Sequence, residues 1–322
     1  MPKPLLKGKD TKMNFSNQAK ELIRQQTGEW DLAAKNYSSL KNVKVKTFDF
    51  GGYHINIQYN PGRIASSSAK VDAQSIEARP CFLCQRNLLS QQHWLSFDNK
   101  YLILVNPFPI FPEHLTIPII SHTDQRIFGN FGSMLELAAQ LDDFVIFYNG
   151  PQCGASAPDH LHFQAGNKGF LPIEDDFANK KCCYEIRRIK SVTIFHWPDY
   201  HHGIITLKGN DKIDLIACFN QIYMQLQVHQ PNEVEPMINI LISFKNGEWI
   251  IHIFPRTLHR PAQYFEKGDQ QIVLSPAAVD MGGVLITPRK EDFDKITQGD
   301  LIDIFKQVCL EHSIIMKLIN DL

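Results

Sequence analysis

From Phe15 onward, Ala19, Leu22, Ile23, Gln26, Trp30, Ala33, Tyr37 and Leu40 return at steps of three and four, the stripe of one long amphipathic helix that packs across a sheet. The period then changes to two. Val43 to Phe50 and Tyr53 to Tyr59 alternate on either side of Gly51-Gly52, which predicts a hairpin, and Asn60-Pro61-Gly62-Arg63 closes it with a turn. The Ser- and Ala-rich stretch from Ile64 to Glu77 reads as a surface loop. Tyr101 to Asn106 and His114 to Ile120 are β-branched or aromatic runs separated by Pro107, Pro109 and Pro112, and predict two strands. Phe131, Met134, Leu135, Ala138 and Leu141 fit a second helical stripe. Strands at Phe144 to Tyr148 and His160 to Ala165 follow, joined by a Gly/Pro-rich loop.

The chain turns polar and acidic around Asn167 to Asn179, and then a similar succession restarts. Strands are expected near Val192 to Trp197, Met237 to Phe244 and Trp249 to Phe254, with helices near Asp214 to Val228 and Leu301 to Leu318. This predicts an α+β fold in two halves, each an antiparallel sheet with packed helices. The expected boundaries are an N-terminal helical segment over 1–40, a first half over 41–185 and a second over 186–322. No literal internal repeat is visible, so duplication is a question for the structure.

Composition narrows the function. With 43% hydrophobic and 21% charged residues in 322, the chain is globular, and disorder and coiled coil drop out. Thirty-three basic against thirty-four acidic side chains give a net charge of −1, so no global field holds it on nucleic acid or an anionic membrane. Phosphate recognition must therefore be local. No apolar run approaches the roughly eighteen residues of a membrane span, and Met1 to Thr11 is lysine-rich without an apolar stretch behind it. Seven cysteines, two of them adjacent (Cys182 and Cys183), do not suggest a disulfide framework, and a reducing cytoplasm is the expected address.

Two constellations carry chemistry. The first is Asn149-Gly-Pro-Gln-Cys-Gly-Ala-Ser156-Ala-Pro-Asp-His160-Leu-His162-Phe-Gln164. In a strand, His160, His162 and Gln164 point one way while Leu161 and Phe163 enter the core. A neutral imidazole is a competent nucleophile towards phosphorus, and the N–H groups of a Gly/Ser loop hold phosphate oxygens. The second is Cys81-Phe-Leu-Cys84, half of a tetrahedral Zn²⁺ site, with His114, His122 and His160 as candidates for the missing ligands. Arg63 sits on a turn where a guanidinium can clamp a diphosphate. Arg256, His259 and Arg260 end a strand in the second half and suit phosphate or sugar phosphate on the acceptor side, with Arg289 and Lys290 as weaker candidates. His201 and His202 read as solvated, and Trp94, Trp197 and Trp249 as core aromatics.

Cys81-x-x-Cys84, Pro112-Glu-His-Leu-Thr-Ile-Pro-Ile-Ile-Ser-His122 and His160-x-His162-x-Gln164 resemble the histidine-triad superfamily in its transferase branch. That branch holds galactose-1-phosphate uridylyltransferase, diadenosine tetraphosphate phosphorylase and the GDP-sugar phosphorylases. His-Leu-His-Phe-Gln and Pro276 to Lys290 look most like the GDP-sugar phosphorylases, and the CxxC looks more like the uridylyltransferase. The resemblance implies two histidine-triad-like halves and a structural zinc on Cys81, Cys84, His122 and His160. It implies His162 as the nucleophile that becomes a nucleotidyl-histidine, and Gln164 on the phosphoryl oxygens. Arg63, Asn149, Ser156, Arg256, His259 and Arg260 are then the expected nucleotide and phosphate contacts. One departure is Asp159, which intervenes between Pro158 and His160 where the uridylyltransferases place proline directly before the histidine. The expected substrates are a nucleotide sugar and either phosphate or a sugar 1-phosphate, with no nucleic acid or membrane partner, and a homodimer is compatible with this reading. Histidine-triad hydrolases carry histidine at the Gln164 position; an amide cannot titrate as the acid for water attack, so transfer is favoured over hydrolysis. A zinc-stabilised nucleotide-binding module without turnover is the other alternative.

Overall fold

The computed structural model describes residues 14–64, 72–180 and 182–322. The lysine-rich start lies outside them. The expected long N-terminal helix is two helices, Phe15–Glu29 and Asp31–Ser39, because Trp30 takes an extended conformation (φ −113°, ψ 104°) between them. Its indole is buried, and Asp31 opens the second helix with an acidic first turn that suits the helix dipole. The apolar stripe survives this break, which is why periodicity alone does not reveal it. Of the expected loop from Ile64 to Glu77, residues 65–71 lie outside the description, and Ala73–Glu77 is a short helix capped by Asp72 Oδ1 on the Ser75 N–H.

Among the described residues, thirteen strands follow in chain order: β1 Lys44–Asp49, β2 His54–Tyr59, β3 Trp94–Phe97, β4 Tyr101–Val105, β5 His114–Pro118, β6 Phe144–Asn149, β7 His162–Asn167, β8 Tyr184–Ile189, β9 Val192–His196, β10 Ile205–Gly209, β11 Ile238–Lys245, β12 Glu248–Pro255 and β13 Val284–Thr287. Ten of them form one antiparallel sheet in the order β3-β4-β5-β7-β6-β11-β12-β10-β9-β8. Read inward from either edge, each half runs first, second, third, fifth, fourth. The fourth strands, β6 and β11, join the halves from Asn239↔Asn149 to Ile242↔Ile146. Each half also sends a helix, Phe131–Gln140 or Lys212–His229, between its third and fourth strands. These helices pack together, with the Phe131 and Phe219 rings stacked at 3.8 Å. The fold is therefore duplicated, although the sequence shows no repeat.

Registers fix which residues correspond. Leu104, Thr116, Gln164 and Phe147 lie in one cross-strand row of the first half. Phe195, Thr206, His252 and Leu241 form the same row of the second. Two residues along, His162 corresponds to Ile250, Asn149 to Ser243 and Asn106 to Trp197. The hairpin β1–β2 does not join this sheet; it pairs in parallel with β13, so the small sheet draws on both ends of the chain.

Three other expectations change. β7 begins at His162, so His160 lies on the preceding turn and shares no strand face with it. The helix expected over Leu301 to Leu318 is two, Gln298–Val308 and His312–Asn320, because Cys309 is extended and its backbone bridges to Arg256. His202 is not solvated: it is buried, stacked on Phe305 at 4.3 Å, with Nε2 on the Met281 carbonyl. Among the described residues, no helix is long and apolar enough to cross a membrane.

Candidate active site and metal cluster

A cavity of about 720 Å³ opens over the first half of the sheet, with His162 and Gln164 of β7 in its floor. His162 is fixed on three sides. Gln125, fully buried, accepts the His162 N–H (2.8 Å) and donates to the carbonyls of His162 (3.1 Å) and Asn149 (2.9 Å). His162 Nδ1 lies 2.8 Å from the His160 carbonyl, which can only accept, so Nδ1 carries the proton and Nε2 holds the free lone pair. Burial pushes the imidazole down to about 4, so the ring is neutral at physiological pH.

Gln164 is oriented in the same way. His114 Nδ1 accepts the Ile110 N–H (3.1 Å), which puts the His114 proton on Nε2, 3.1 Å from Gln164 Oε1. Burial, with Arg63 adding to it, lowers His114 to about 3 and keeps it neutral. Asn106 donates to the same oxygen and to Thr116 Oγ1. With Oε1 so engaged, the Gln164 amide N–H₂ is directed to the cavity. His114 thus supports Gln164 from below the floor and is not one of the four residues of the Cys/His cluster.

Of the expected phosphate contacts, Arg63, Asn149, Ser156, His259 and Arg260 all line the cavity. Arg63 donates to the Phe108 carbonyl (2.6 Å), and burial lowers it to about 10. Asn149 Oδ1 accepts from Asn239 Nδ2 (2.9 Å) and the Ala278 N–H (2.8 Å), which brings a second-half loop against the end of β6, beside β7. Gly154 makes that approach feasible, since its φ is +94° and a Cβ there would meet Ala277 Cβ at 2.5 Å. His259 is neutral, lowered to about 4 by burial and by Arg260.

Arg256 does not reach the cavity. It is fully buried and donates to the carbonyls of Val308, Pro276, Leu258 and His259 and to Asn239 Oδ1 (2.6 Å). A guanidinium taken up by five protein acceptors has no donor left for a ligand, and its work is to hold the loop that carries His259 and Ala277. Arg289 and Lys290 are likewise spent on Asp292, Gln271 and Asp294. Sequence reasoning missed Asn106, Gln125 and Asp280. Asp280 lines the cavity with both oxygens on backbone N–H groups, and burial raises it to about 6. Only Asn106, next to the Pro107 turn, carried a local signal.

Behind the floor, Cys81, Cys84, His122 and His160 bring one ligand atom each within 4.8 Å of one another. Cys81 Sγ and His160 Nδ1 are 3.2 Å apart, as are Cys84 Sγ and His122 Nδ1, and the two Nδ1 atoms. A tetrahedral ion with bonds of about 2.0 Å to nitrogen and 2.3 Å to sulfur sets its ligand atoms about 3.3–3.8 Å apart, so the four fit a closed metal site. His160 Nε2 donates to the Ile119 carbonyl (2.7 Å), which fixes the tautomer with Nδ1 free for a metal. The inserted Asp159 pairs with Arg79 (2.8 Å), whose guanidinium lies over the Phe82 ring of the CxxC turn. Asp159 therefore ties the Gly/Ser loop to the cysteine turn.

A duplicated antiparallel sheet with an imidazole heading the fifth strand of one half defines a tandem histidine-triad-like fold. Residues 22–167 match the family model described as a domain of unknown function (DUF4922), and residues 175–320 the one described as GDPGP1-like, C-terminal domain. Diadenosine 5',5'''-P1,P4-tetraphosphate phosphorylase 2 of Saccharomyces cerevisiae is 22% identical over 311 residues, covering 86% of this chain and 91% of that protein. Galactose-1-phosphate uridylyltransferase of Halalkalibacterium halodurans is 25% identical over 146 residues, 44% of this chain and 26% of that one. The crystal structure of yeast Ap4A phosphorylase Apa2 superposes with a TM-score of 0.60 at 16% identity, covering 91% of this chain and 97% of that one. The relatives that the chain matches are those of the transferase branch of the histidine-triad superfamily, and its second half carries the GDPGP1-like C-terminal domain.

Proposed function

We propose that the protein is a nucleotidyltransferase working by double displacement through a nucleotidyl-His162. The observation that carries this is the bond from His162 Nδ1 to the His160 carbonyl, which leaves Nε2 as a free lone pair beside the Gln164 amide. In the first half-reaction Nε2 attacks the α-phosphorus of a bound nucleotide. The P–N bond forms, the P–O bond to the leaving phosphate ester breaks, and its electron pair leaves with that oxygen. An oxygen of the acceptor then attacks the same phosphorus, and P–N cleavage restores the neutral imidazole. Gln164, Asn149, Ser156 and Arg63 are the assigned contacts of the phosphoryl groups, and His259 and Arg260 those of the acceptor.

The donor is a nucleoside diphosphate sugar or a dinucleoside polyphosphate. Orthophosphate is the favoured acceptor, because the likeness to the yeast phosphorylase runs over 86% of the chain and that to the uridylyltransferase over 44%. The amide of Gln164 speaks against hydrolysis, since it has no proton to titrate. Zinc suits the two-sulfur, two-nitrogen cluster and, when bound, cross-links the CxxC turn to His160. The chain's own part is the His160 carbonyl, which then orients the nucleophile. Seven free thiols support a reducing, cytoplasmic address.

Intact mass spectrometry with nucleotide sugars and diadenosine tetraphosphate, without acceptor, should show one added nucleoside monophosphate. Phosphate, hexose 1-phosphate and water are then compared for discharge. Binding without an adduct for every donor leaves a binding module and overturns the proposal.

A further inference from the structure

A second cavity, of about 900 Å³, lies over the second half of the sheet. Of the seven residues of the large sheet in the floor of the first cavity, five, Leu104, Phe147, Asn149, His162 and Gln164, have as register equivalents Phe195, Leu241, Ser243, Ile250 and His252. All five equivalents line the second cavity. The roofs are exchanged in the same way. The segment after β12 supplies His259 and Ala277 to the first cavity, and the segment after β7, with Leu171, Glu174 and Phe177, covers the second. The second cavity is thus the duplicate of the first.

Its floor keeps a hydrogen-bond donor where Gln164 has one. His252 is only 5% exposed. Trp197 Nε1 donates to Thr206 Oγ1 (2.8 Å), and that hydroxyl lies 2.8 Å from His252 Nδ1. With the Thr206 oxygen already accepting from Trp197, we assign its hydrogen to His252 Nδ1 and the imidazole proton to Nε2. Nε2 has no hydrogen-bond partner among the described residues, and His252 lines the cavity. Burial lowers His252 to about 3, so the ring is a neutral donor. Phe177 and Phe195 form an apolar wall beside it, and Lys245, Lys208 paired with Glu248 (2.8 Å), and the carboxylates of Asp142, Glu174 and Asp175 line the rest. The nucleophile is gone, because Ile250 occupies the His162 position.

We infer that this second cavity binds a nucleoside monophosphate without reacting with it, the base against Phe177 and Phe195 and a phosphoryl oxygen on His252 Nε2. The ligand class rests on the nucleotide reading of the first cavity; the cavity and its donor do not. No bond is made or broken, so the site is one for a regulatory or product nucleotide.

The test is equilibrium dialysis of the full chain with labelled AMP, GMP and UMP. Two molecules per chain are expected for the preferred nucleotide, falling to one in Ser243→Trp, which fills the second cavity, with turnover retained. His252→Gln keeps a donor and should keep both sites, whereas His252→Phe should weaken the second at least about tenfold. The nucleoside without phosphate should bind the second site at least about tenfold more weakly. One site per chain, unaffected by Ser243→Trp, overturns this inference and leaves the proposed function standing. One site that Ser243→Trp removes supports it and counts against nucleotide binding in the first cavity. Equal affinity for nucleoside and nucleotide removes the role given to His252, and no binding at all overturns both readings.

Discussion

Gln125 touches no part of the cavity, yet its loss should damage the chemistry more than binding. Gln125→Leu removes one acceptor and two donor contacts at a fully buried position. The His162 N–H has no alternative partner, while the two carbonyls retain capacity for others. Each buried group left unpaired costs about 1–3 kcal/mol, and the carbonyls relax, so we expect a loss of about 2–4 kcal/mol in urea unfolding at pH 7. The same bonds set the height of His162 in the floor. A displacement of about 1 Å in a reacting group costs about a hundredfold, so formation of the nucleotidyl-enzyme should slow by that factor while nucleotide affinity changes by no more than about threefold. Metal content should not change, since His160 is anchored separately on the Ile119 carbonyl. The assay is single-turnover labelling followed by intact mass, with dialysis for affinity. A folded Gln125→Leu that labels at the normal rate would refute the positioning argument, as would equal losses in affinity and rate.

Four further outcomes follow from the geometry. His162→Asn should keep fold, metal and nucleotide binding but lose covalent labelling, with turnover down at least about a thousandfold; near-normal turnover would end the double-displacement reading. Cys84→Ser should lower the zinc released on denaturation from about one per chain and reduce stability; unchanged zinc would exclude Cys84 as a ligand. Arg256→Leu should cost at least about 2 kcal/mol in unfolding, because it takes the guanidinium from the buried Pro276 carbonyl and from Asn239 Oδ1, and a stable variant that fails only in acceptor discharge would return Arg256 to the acceptor site. Glu235, buried with Tyr148 Oη at 2.5 Å, is raised by burial from 4.5 to about 7. The native state then holds a proton that the unfolded chain has lost, so stability falls as pH rises from 4.5 to 7, by about 3 kcal/mol. Glu235→Gln should flatten that slope in urea titrations at pH 5 and 7.5, and an unchanged slope would assign it to another group.

The strands around the candidate site were legible because their side chains alternate and Pro/Gly turns flank them. β4, β5, β6, β11 and β12 appear within two residues of where period and punctuation predict them. The helix breaks at Trp30 and Cys309 were not legible: both keep the apolar stripe in phase, and the extended residue is stabilised by distant packing or pairing. His160 misled for a related reason. An x-His-x-His-x-Gln pattern suits one strand face, but the metal cluster draws His160 off the strand so that its Nδ1 faces the cysteines. Arg256 looked like a ligand cation because a guanidinium after a strand usually meets solvent. Only the fold shows that Val308, Pro276 and Asn239 surround it. Gln125 had no signal at all, since its partners are three backbone groups from two distant strands.

The duplication gives an internal comparison that explains why the proposed chemistry lies in one half. Both halves hold a threonine at the same point of the third strand, Thr116 and Thr206, hydrogen-bonded to the residue after the second strand, Asn106 or Trp197. In the first half Asn106 is small and supplies a donor to Gln164, so the floor stays open beside the amide. In the second, the buried indole of Trp197 fills that space and its single N–H is spent on Thr206. His162 is then replaced by Ile250, and among the described residues no second cluster of cysteines and histidines stands in this half to anchor a residue like His160. Restoring one imidazole at position 250 would therefore not restore the reaction. Ile250→His would lack the locked tautomer and the Gln125-like clamp on its backbone, and its ring would be free to rotate and to protonate. The expected result is no covalent label on an Ile250→His, His162→Asn double variant; a label there would mean that the imidazole alone, without its supports, is enough.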